Sequence, residues 1–355
     1  MSFSARFDLI NFSSVSNALL KQAGASRFIL ATFQEIAMMT NHAEQYPSAP
    51  SAPLPIYSSE TVSVTDLDLV AADGVPLTAR LYSGANPVKL TVLMLPGIGV
   101  PQRAFRHLAD WLARRGARCV TVDYRGIGQS ATPEGIQTAS LLKWAQEDAA
   151  AAMAFCRNAG PEPVVLIGHS FGGQSVGLTE ALSEVRAAVF IGSQFGQARH
   201  WDGAEKWRLA MYWHIFLPLV SAFYQVLPRW SGPAGRLPRG VAREWARWGR
   251  SSNWYVSNNP ESVDLLAHFS APILAYGMTD DLIAPPRAVS ALLDRFYATA
   301  PDLRSISPEQ LGLKRIGHTG LLRPSKEVEV IWREMFDFLL REIESRNEGI
   351  VPSAA

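Results

Sequence analysis

VVLIGHSFGGQ, residues 164–174, is the stretch on which the reading of the fold turns. Apolar residues from Val164 to Ile167 lead directly into Gly168-His169-Ser170-Phe171-Gly172-Gly173. β-Branched apolar residues favour a strand buried on both faces, and glycines on either side of a serine let the backbone turn sharply into a helix. The pattern G-x-S-x-G therefore predicts a strand, a tight turn and a helix start, with Ser170 at the apex and its hydroxyl clear of the sheet. The N–H of Phe171 then opens the helix, where it can meet developing negative charge. The plainer alternative is a glycine-rich turn whose serine only caps the helix.

The chain on either side discriminates between the two. Upstream, SVTDLDLVAADGVPLTARLY (63–82) alternates apolar and polar residues around Asp73-Gly74, which predicts a β-hairpin. KLTVLMLPG (89–97) predicts a buried strand ending at Pro96-Gly97-Ile98-Gly99. A helix from about 103 to 115 follows, then a strand in ARCVTVDY (117–124) and a helix from about 140 to 157. Downstream, strands are predicted at 187–193 (AAVFIGS) and 272–277 (PILAYG), and LGLKRI (311–316) is read as the last strand. A final helix runs from about 326 to 344. Strands alternating with helices imply a mostly parallel sheet with helices on both faces, and such sheets bind ligands at the carboxyl ends of their strands.

The alternation is interrupted between about 195 and 268, where seven of the ten tryptophans fall. This segment is read as a helical cap insertion. Its residues 199–250 carry nine Lys/Arg against three acids, which suits a solvated basic face, with recruitment of an anionic substrate or membrane as the sharper reading. Residues 1–57 are set apart as an N-terminal extension ending in the Pro/Ser-rich YPSAPSAPLP linker. A start at Met38 or Met39 is an alternative reading of that region. Residues 58–348 form the expected domain, and 349–355 a tail.

With 355 residues, 48% of them apolar, the chain can bury a large core, and its formal charge of +1 offers no polyanion-binding balance. Nucleic acid is therefore not an expected partner. Cys119 and Cys156 are too few for a disulfide framework and have no metal-ligand spacing, so both read as buried thiols. His107, His200, His214 and His268 show no ligand spacing either, and neither a metal nor a cofactor is expected. No secretory leader pattern or membrane-length apolar run is present, which leads to a cytoplasmic expectation. Association with a membrane surface is possible in principle but not expected, and the oligomeric state is left open.

The order Ser170, an aspartate after a later strand, then a histidine after the last one is a nucleophile, acid, base order. At this point the chain resembles the α/β-hydrolase superfamily from about 61 to 346. The resemblance is carried by Gly99-Val100-Pro101-Gln102-Arg103, Tyr124-Arg125-Gly126-Ile127-Gly128, Trp245-Ala246-Arg247-Trp248 and Gly317-His318-Thr319-Gly320, and is greatest to uncharacterised serine hydrolases with a G-H-x-G loop. The resemblance implies Ser170 as nucleophile, His318 as general base and then acid, and Asp281 as the group orienting the imidazole. Asp281 is preferred to Asp280 because its spacing to Pro285 fits the family's D-x-x-x-P. It also implies an oxyanion hole from the N–H groups of Ile98 and Phe171, with Pro96 where a histidine often stands.

The expected function is hydrolysis of a carboxylic ester with an apolar part, through an acyl-enzyme, on a small-molecule substrate. Acyl transfer, amide or peptide cleavage, and a non-catalytic binding protein of the same fold are the alternatives. His169 is assigned local packing or hydrogen bonding. Asp123 and Arg125 are read as bracing a strand-end turn, and Gln102 and Arg103 as helix-start residues.

Overall fold

The computed structural model describes residues 61–347, apart from Pro87 and residues 233–234. The N-terminal extension and the tail lie outside the described residues. Eight strands form one sheet: β1 (Ser63–Val70), β2 (Pro76–Ser83), β3 (Leu90–Leu95), β4 (Ala117–Val122), β5 (Val164–His169), β6 (Ala188–Ile191), β7 (Ile273–Met278) and β8 (Asp302–Ile306). Their spatial order is β1-β2-β4-β3-β5-β6-β7-β8. β1 and β2 pair antiparallel, β2 meets β4 antiparallel, and the six strands from β4 to β8 in that order are parallel.

Burial explains why these segments are strands. Every residue of β3, β5, β6 and β7 is buried, so both faces of each must be apolar. Leu93, Leu95 and Leu166 feed one core with Trp144 and Phe171, whereas Val92, Met94, Val165 and Ile167 feed the other with Trp111 and Trp332. Helices Arg106–Ala113 and Lys326–Asn347 cover the second face, and Ala150–Asn158 and Pro286–Leu293 the first. Each such side chain, fully buried, contributes about 1.5–3 kcal/mol. Cys119 and Cys156 are free and buried, and burial raises the pKa of both thiols.

The last strand is not where the sequence reading puts it. β8 is Asp302–Ile306, mostly exposed at the sheet edge, while 311–316 forms no strand and follows a 3₁₀ turn at Glu309–Leu311. An edge strand open to solvent needs no apolar run, so its sequence carries no buried-strand signal. The apolar residues of LGLKRI serve packing instead: Leu311, Leu313 and Ile316 all meet the second core.

Between β6 and β7 lies the helical insertion. Its main parts are Gly203–Met211, a π-helical segment Tyr212–Phe216, Leu217–Phe223, Arg239–Arg250 and Ser262–His268. A second π segment, Trp144–Ala149, widens the helical run from Leu141 to Asn158. There it serves Arg125, which is fully buried. The Trp144 indole donates to the Arg125 carbonyl at 3.0 Å, and Asp148 accepts from the Arg125 backbone N–H and Nε, each at 2.8 Å. Asp73, from the β1–β2 turn, takes the remaining guanidinium nitrogens at 2.6 and 2.9 Å and also pairs with Lys143. These hydrogen bonds hold the Asp73 carboxyl well below its ordinary range.

Hairpin, β4 turn and helix are thus tied at one guanidinium. Arg125→Met strips a fully buried Asp148 of its counter-charge and is expected to cost about 3–5 kcal/mol of stability, measured by denaturant unfolding at pH 7.

Candidate active site

The sheet reverses its winding between β3 and β5: β4 lies on one side of β3, and the chain returns to place β5 on the other. The crevice beyond the carboxyl ends at such a point is where open α/β sheets bind ligands. Ser170 stands there, one residue past the end of β5. Its backbone is at φ 53°, ψ −115°, a conformation costing about 1–3 kcal/mol for a residue with a Cβ. The surroundings impose it. A Cβ on Gly172 would sit 2.0 Å from the Leu95 carbonyl oxygen, and one on Gly168 would sit 2.5 Å from the Gly173 nitrogen. Strand and helix close on each other too tightly for side chains, and Ser170 is left at the apex.

The loop after β3 passes directly in front. Gly97 lies so close that an added Cβ would come 2.9 Å from the Ser170 Cβ. The Val100 N–H donates to the Gly97 carbonyl at 3.1 Å, and Gly99 has φ 72°, so 97–100 is a type II turn with Ile98 at its second position. Phe171 opens the helix Phe171–Gln174, where Gly173 and Gln174 donate to the Ser170 carbonyl and the Phe171 N–H, at the first position, has no intrahelical acceptor. Its ring is fully buried in a box of Tyr124, Trp144 and Trp248, at centroid distances of 5.9, 5.9 and 6.5 Å.

His318 arrives from the loop after β8. Its Nδ1 is 2.7 Å from Asp281 Oδ2, while Asp281 Oδ1 accepts the N–H groups of Ile283 at 2.8 Å and Ala284 at 3.0 Å. Burial alone would raise the Asp281 pKa. His318 beside it, their hydrogen bond and the two N–H donors outweigh burial and hold it below its ordinary value. Nδ1 so placed presents its proton to the carboxylate, leaving Nε2 as the nitrogen able to accept one. Ser170 Oγ and His318 Nε2 have no hydrogen-bond partner among the described residues; such contacts commonly tighten only with substrate bound.

Asp280 has a separate task. Its oxygens accept the backbone N–H groups of Ile316 at 2.9 Å and Gly317 at 3.0 Å. Two further residues support His318 that the sequence reading did not assign to it. Gly192, at φ 58° after β6, would bring an added Cβ 3.2 Å from His318 Nδ1, so a side chain there would be strained and would press on the ring. The preceding Ile191 carbonyl accepts the Ser170 N–H at 2.9 Å, which links the seat to the apex. His169 donates from Nε2 to the His318 carbonyl at 2.9 Å, with the two rings 4.7 Å apart. That contact is not the local one expected, since it spans 149 positions. The one signal for Gly192 was a glycine directly after an apolar strand, and for His169 there was none.

Gln102 and Asp123 do as read from the sequence: Asp123 accepts the N–H groups of Gln102 at 2.7 Å and Gln129 at 2.9 Å, bracing the end of β4. A cavity of about 430 Å³ opens elsewhere, on the insertion, among Ser140, Ser221, Arg243, Arg247 and Arg250. It reaches neither Ser170 nor His318. Ser170 is only 6% exposed.

His169 makes acid stability testable. It is fully buried, and burial first, then the charge on His318, pushes its pKa down to about 3. Between about pH 3 and its unfolded value near 6.5, the unfolded chain binds a proton that the folded chain refuses, so stability falls as pH falls. His169→Gln is expected to remove a slope of about 1.4 kcal/mol per pH unit between pH 6 and 4. Chemical denaturation across that range checks it.

Comparison with known proteins supplies the relationship. The sequence pattern of the Alpha/beta hydrolase family matches residues 92–329. Among solved structures, the chain is similar to a soluble variant of monoglyceride lipase from Saccharomyces cerevisiae bound to a substrate analogue, at 18% identity and a TM-score of 0.58, covering 82% of this chain and 99% of that one. It is also similar to the alpha/beta hydrolase GrgF from Penicillium sp. sh18 (19% identity, TM-score 0.55, 79% and 99% covered). A third is Est1E from Butyrivibrio proteoclasticus bound to ferulic acid (17% identity, TM-score 0.51, 78% and 99% covered). No curated protein matches the sequence. These identities speak for the fold alone, but the family pattern spans most of the described chain and includes Ser170, Asp281 and His318: the chain belongs to the alpha/beta hydrolase family.

Proposed function

We propose that the protein is a serine hydrolase that cleaves a carboxylic ester with an apolar moiety through an acyl-enzyme. The observation that carries the reading is the arrangement at the carboxyl edge of the sheet. A strained serine stands one residue past β5, and its neighbour His169 holds the backbone of a histidine whose Nδ1 is met at 2.7 Å by a buried, ionised aspartate. A free serine hydroxyl is a weak nucleophile near neutral pH and needs a base to take its proton.

In this reading His318 Nε2 removes the Ser170 proton as Oγ attacks the ester carbonyl carbon. Asp281 keeps the imidazole in the required tautomer and stabilises the imidazolium. The N–H groups of Ile98 and Phe171 receive the oxyanion, each donor contributing about 3 kcal/mol at the transition state. Collapse expels the alcohol, which takes the proton from His318. Water, activated by the same histidine, then attacks the acyl-enzyme, releases the acid and restores Ser170.

The insertion acts as a cap. Trp248 packs on Phe171 beside the nucleophile, and Trp254 donates from Nε1 to Gln174 Oε1 at 3.3 Å, at the end of the same helix. These rings are buried; were the insertion to shift, they would offer an apolar substrate part large area with few rotamers to freeze.

Ser170→Ala is expected to abolish both p-nitrophenyl ester turnover and labelling by a fluorophosphonate probe while circular dichroism is unchanged. Labelling of Ser170→Ala at the wild-type rate would sink the assignment. Asp281→Asn should lower kcat about 10⁴-fold by presenting the wrong tautomer, whereas Asp280→Asn, which still offers one accepting oxygen to the Ile316–Gly317 backbone, should lower it far less. Equal losses from the two would reverse their roles. Trp248→Ala should shift the acyl-chain-length preference, read as kcat/KM over an ester series, while Ser170 stays labelled.

A further inference from the structure

From Gly203 to Phe223 the insertion contains one continuous helical rod: an α-helix, the π segment Tyr212–Phe216 and a second α-helix. Trp207, Met211, Ile215, Leu219 and Phe223 recur along it every fourth residue. Four residues overshoot a turn by about 40° in an α-helix but fall short of one in the wider π-helix. The π segment in mid-rod offsets part of that drift, which keeps the five side chains within one stripe. That stripe faces outward. Trp207 and Phe223 are 69% and 68% exposed, Ile215 and Leu219 43% and 42%, and Met211 is half-buried.

An exposed apolar ridge of this length is unusual on a protein that meets only water. Nor do charges interrupt it, for residues 209–228 contain no Asp, Glu, Lys or Arg.

What flanks the ridge identifies its partner. The helix Arg239–Arg250 packs beside the rod, and Arg243, Arg247 and Arg250, spaced along one exposed face of it, line the 430 Å³ cavity whose other wall is Pro218 and Ser221 of the rod. All three acids of residues 199–250 are already engaged, Asp202 with Arg287, Glu205 with Arg208 and Glu244 with Arg247, against nine Lys/Arg. The insertion therefore carries an exposed apolar ridge on the rod and exposed guanidinium groups on the helix packed beside it. There Arg243 and Arg250 also donate to the rod's Ser221 and Trp213 carbonyls, and Arg247 pairs with Glu244. A second copy would bring like charges together. A polyanion in water would leave the ridge uncovered. A bilayer with anionic phospholipids satisfies both parts, its acyl region taking the ridge and its phosphates the guanidinium groups.

We propose that the insertion docks on the surface of an anionic phospholipid bilayer, with Trp207, Ile215, Leu219 and Phe223 entering the interface and Arg243 and Arg247 meeting the headgroup phosphates. No helix among the described residues is long and apolar enough to cross a membrane, so the contact is peripheral. It departs from the sequence expectation, which could weigh the charge of this segment but not see that its apolar side chains share an exposed line. The inference does not depend on the ester chemistry, because binding is read without turnover.

The test is co-sedimentation of the full chain with vesicles of phosphatidylcholine alone and with phosphatidylglycerol added. The chain is expected to sediment with the anionic vesicles and to be released in part by salt. Trp207→Gln combined with Phe223→Gln should weaken that binding about tenfold or more. Arg243→Gln combined with Arg247→Gln should weaken it and flatten its salt dependence. The wild-type melting temperature should be kept by the Gln variants at Trp207 and Phe223, which are mostly exposed. Wild-type chain left in the supernatant with both vesicle types overturns the proposal. So does wild-type sedimentation of the Trp207/Phe223 variant, and so does a solution dimer that this variant dissociates, which would make the ridge a contact between copies.

Discussion

Two neighbouring carboxylates on the loop after β7 hold the site together, and each holds a different thing. Asp280 binds backbone, the N–H groups of Ile316 and Gly317, whereas Asp281 binds the ring of His318 and the turn of its own loop. Hydrogen bonds to an ionised acceptor are roughly twice as strong as neutral ones. A loop with no strand of its own is thereby fixed at the end of a buried strand. His169 holds the His318 carbonyl from the β5 side. The histidine loop is thus held from the ends of β5 and β7, two fully buried strands.

This explains which parts were legible in the sequence. The buried strands and the Ser170 turn announce themselves because burial on both faces demands continuous apolar runs, and close packing demands glycine at 168 and 172. The hairpin at Asp73-Gly74 was legible from its alternation. β8 was not, because a solvent-exposed edge tolerates Asp302, Arg304 and Ser305, and the nearby apolar residues of 311–316 imitate a strand while serving the core. Gly192 and the reach of His169 to His318 depend on which distant segments meet, a matter of tertiary placement that local pattern does not contain. The preference for Asp281 over Asp280 came from family spacing; the differing partners of the two carboxylates are visible only in three dimensions.

The aromatic residues of the insertion are better described as a weld than as a loose cover. Trp213, Trp248, Trp254 and Tyr255 interlock at centroid distances of 5.3 to 6.1 Å and are all buried. Trp254 is held at φ 54°, which with Ser170 makes the two positive-φ residues other than glycine among those described. Its hydrogen bond to Gln174 joins one strained residue to the helix that begins at the other. Packed interiors have few voids and low compressibility, so these four rings resist displacement one at a time.

The 149-position span between His169 and His318 has a consequence for the chain as it is made. During synthesis, amino-terminal parts fold first. The turn around Ser170 can form while everything beyond β6 is still to be translated, yet His318, Asp281 and the insertion all come later. A chain that ends before His318 therefore has the shaped turn without the histidine loop that meets it. In the mechanism proposed, the growing chain lacks its base until His318 has docked between the ends of β5 and β7.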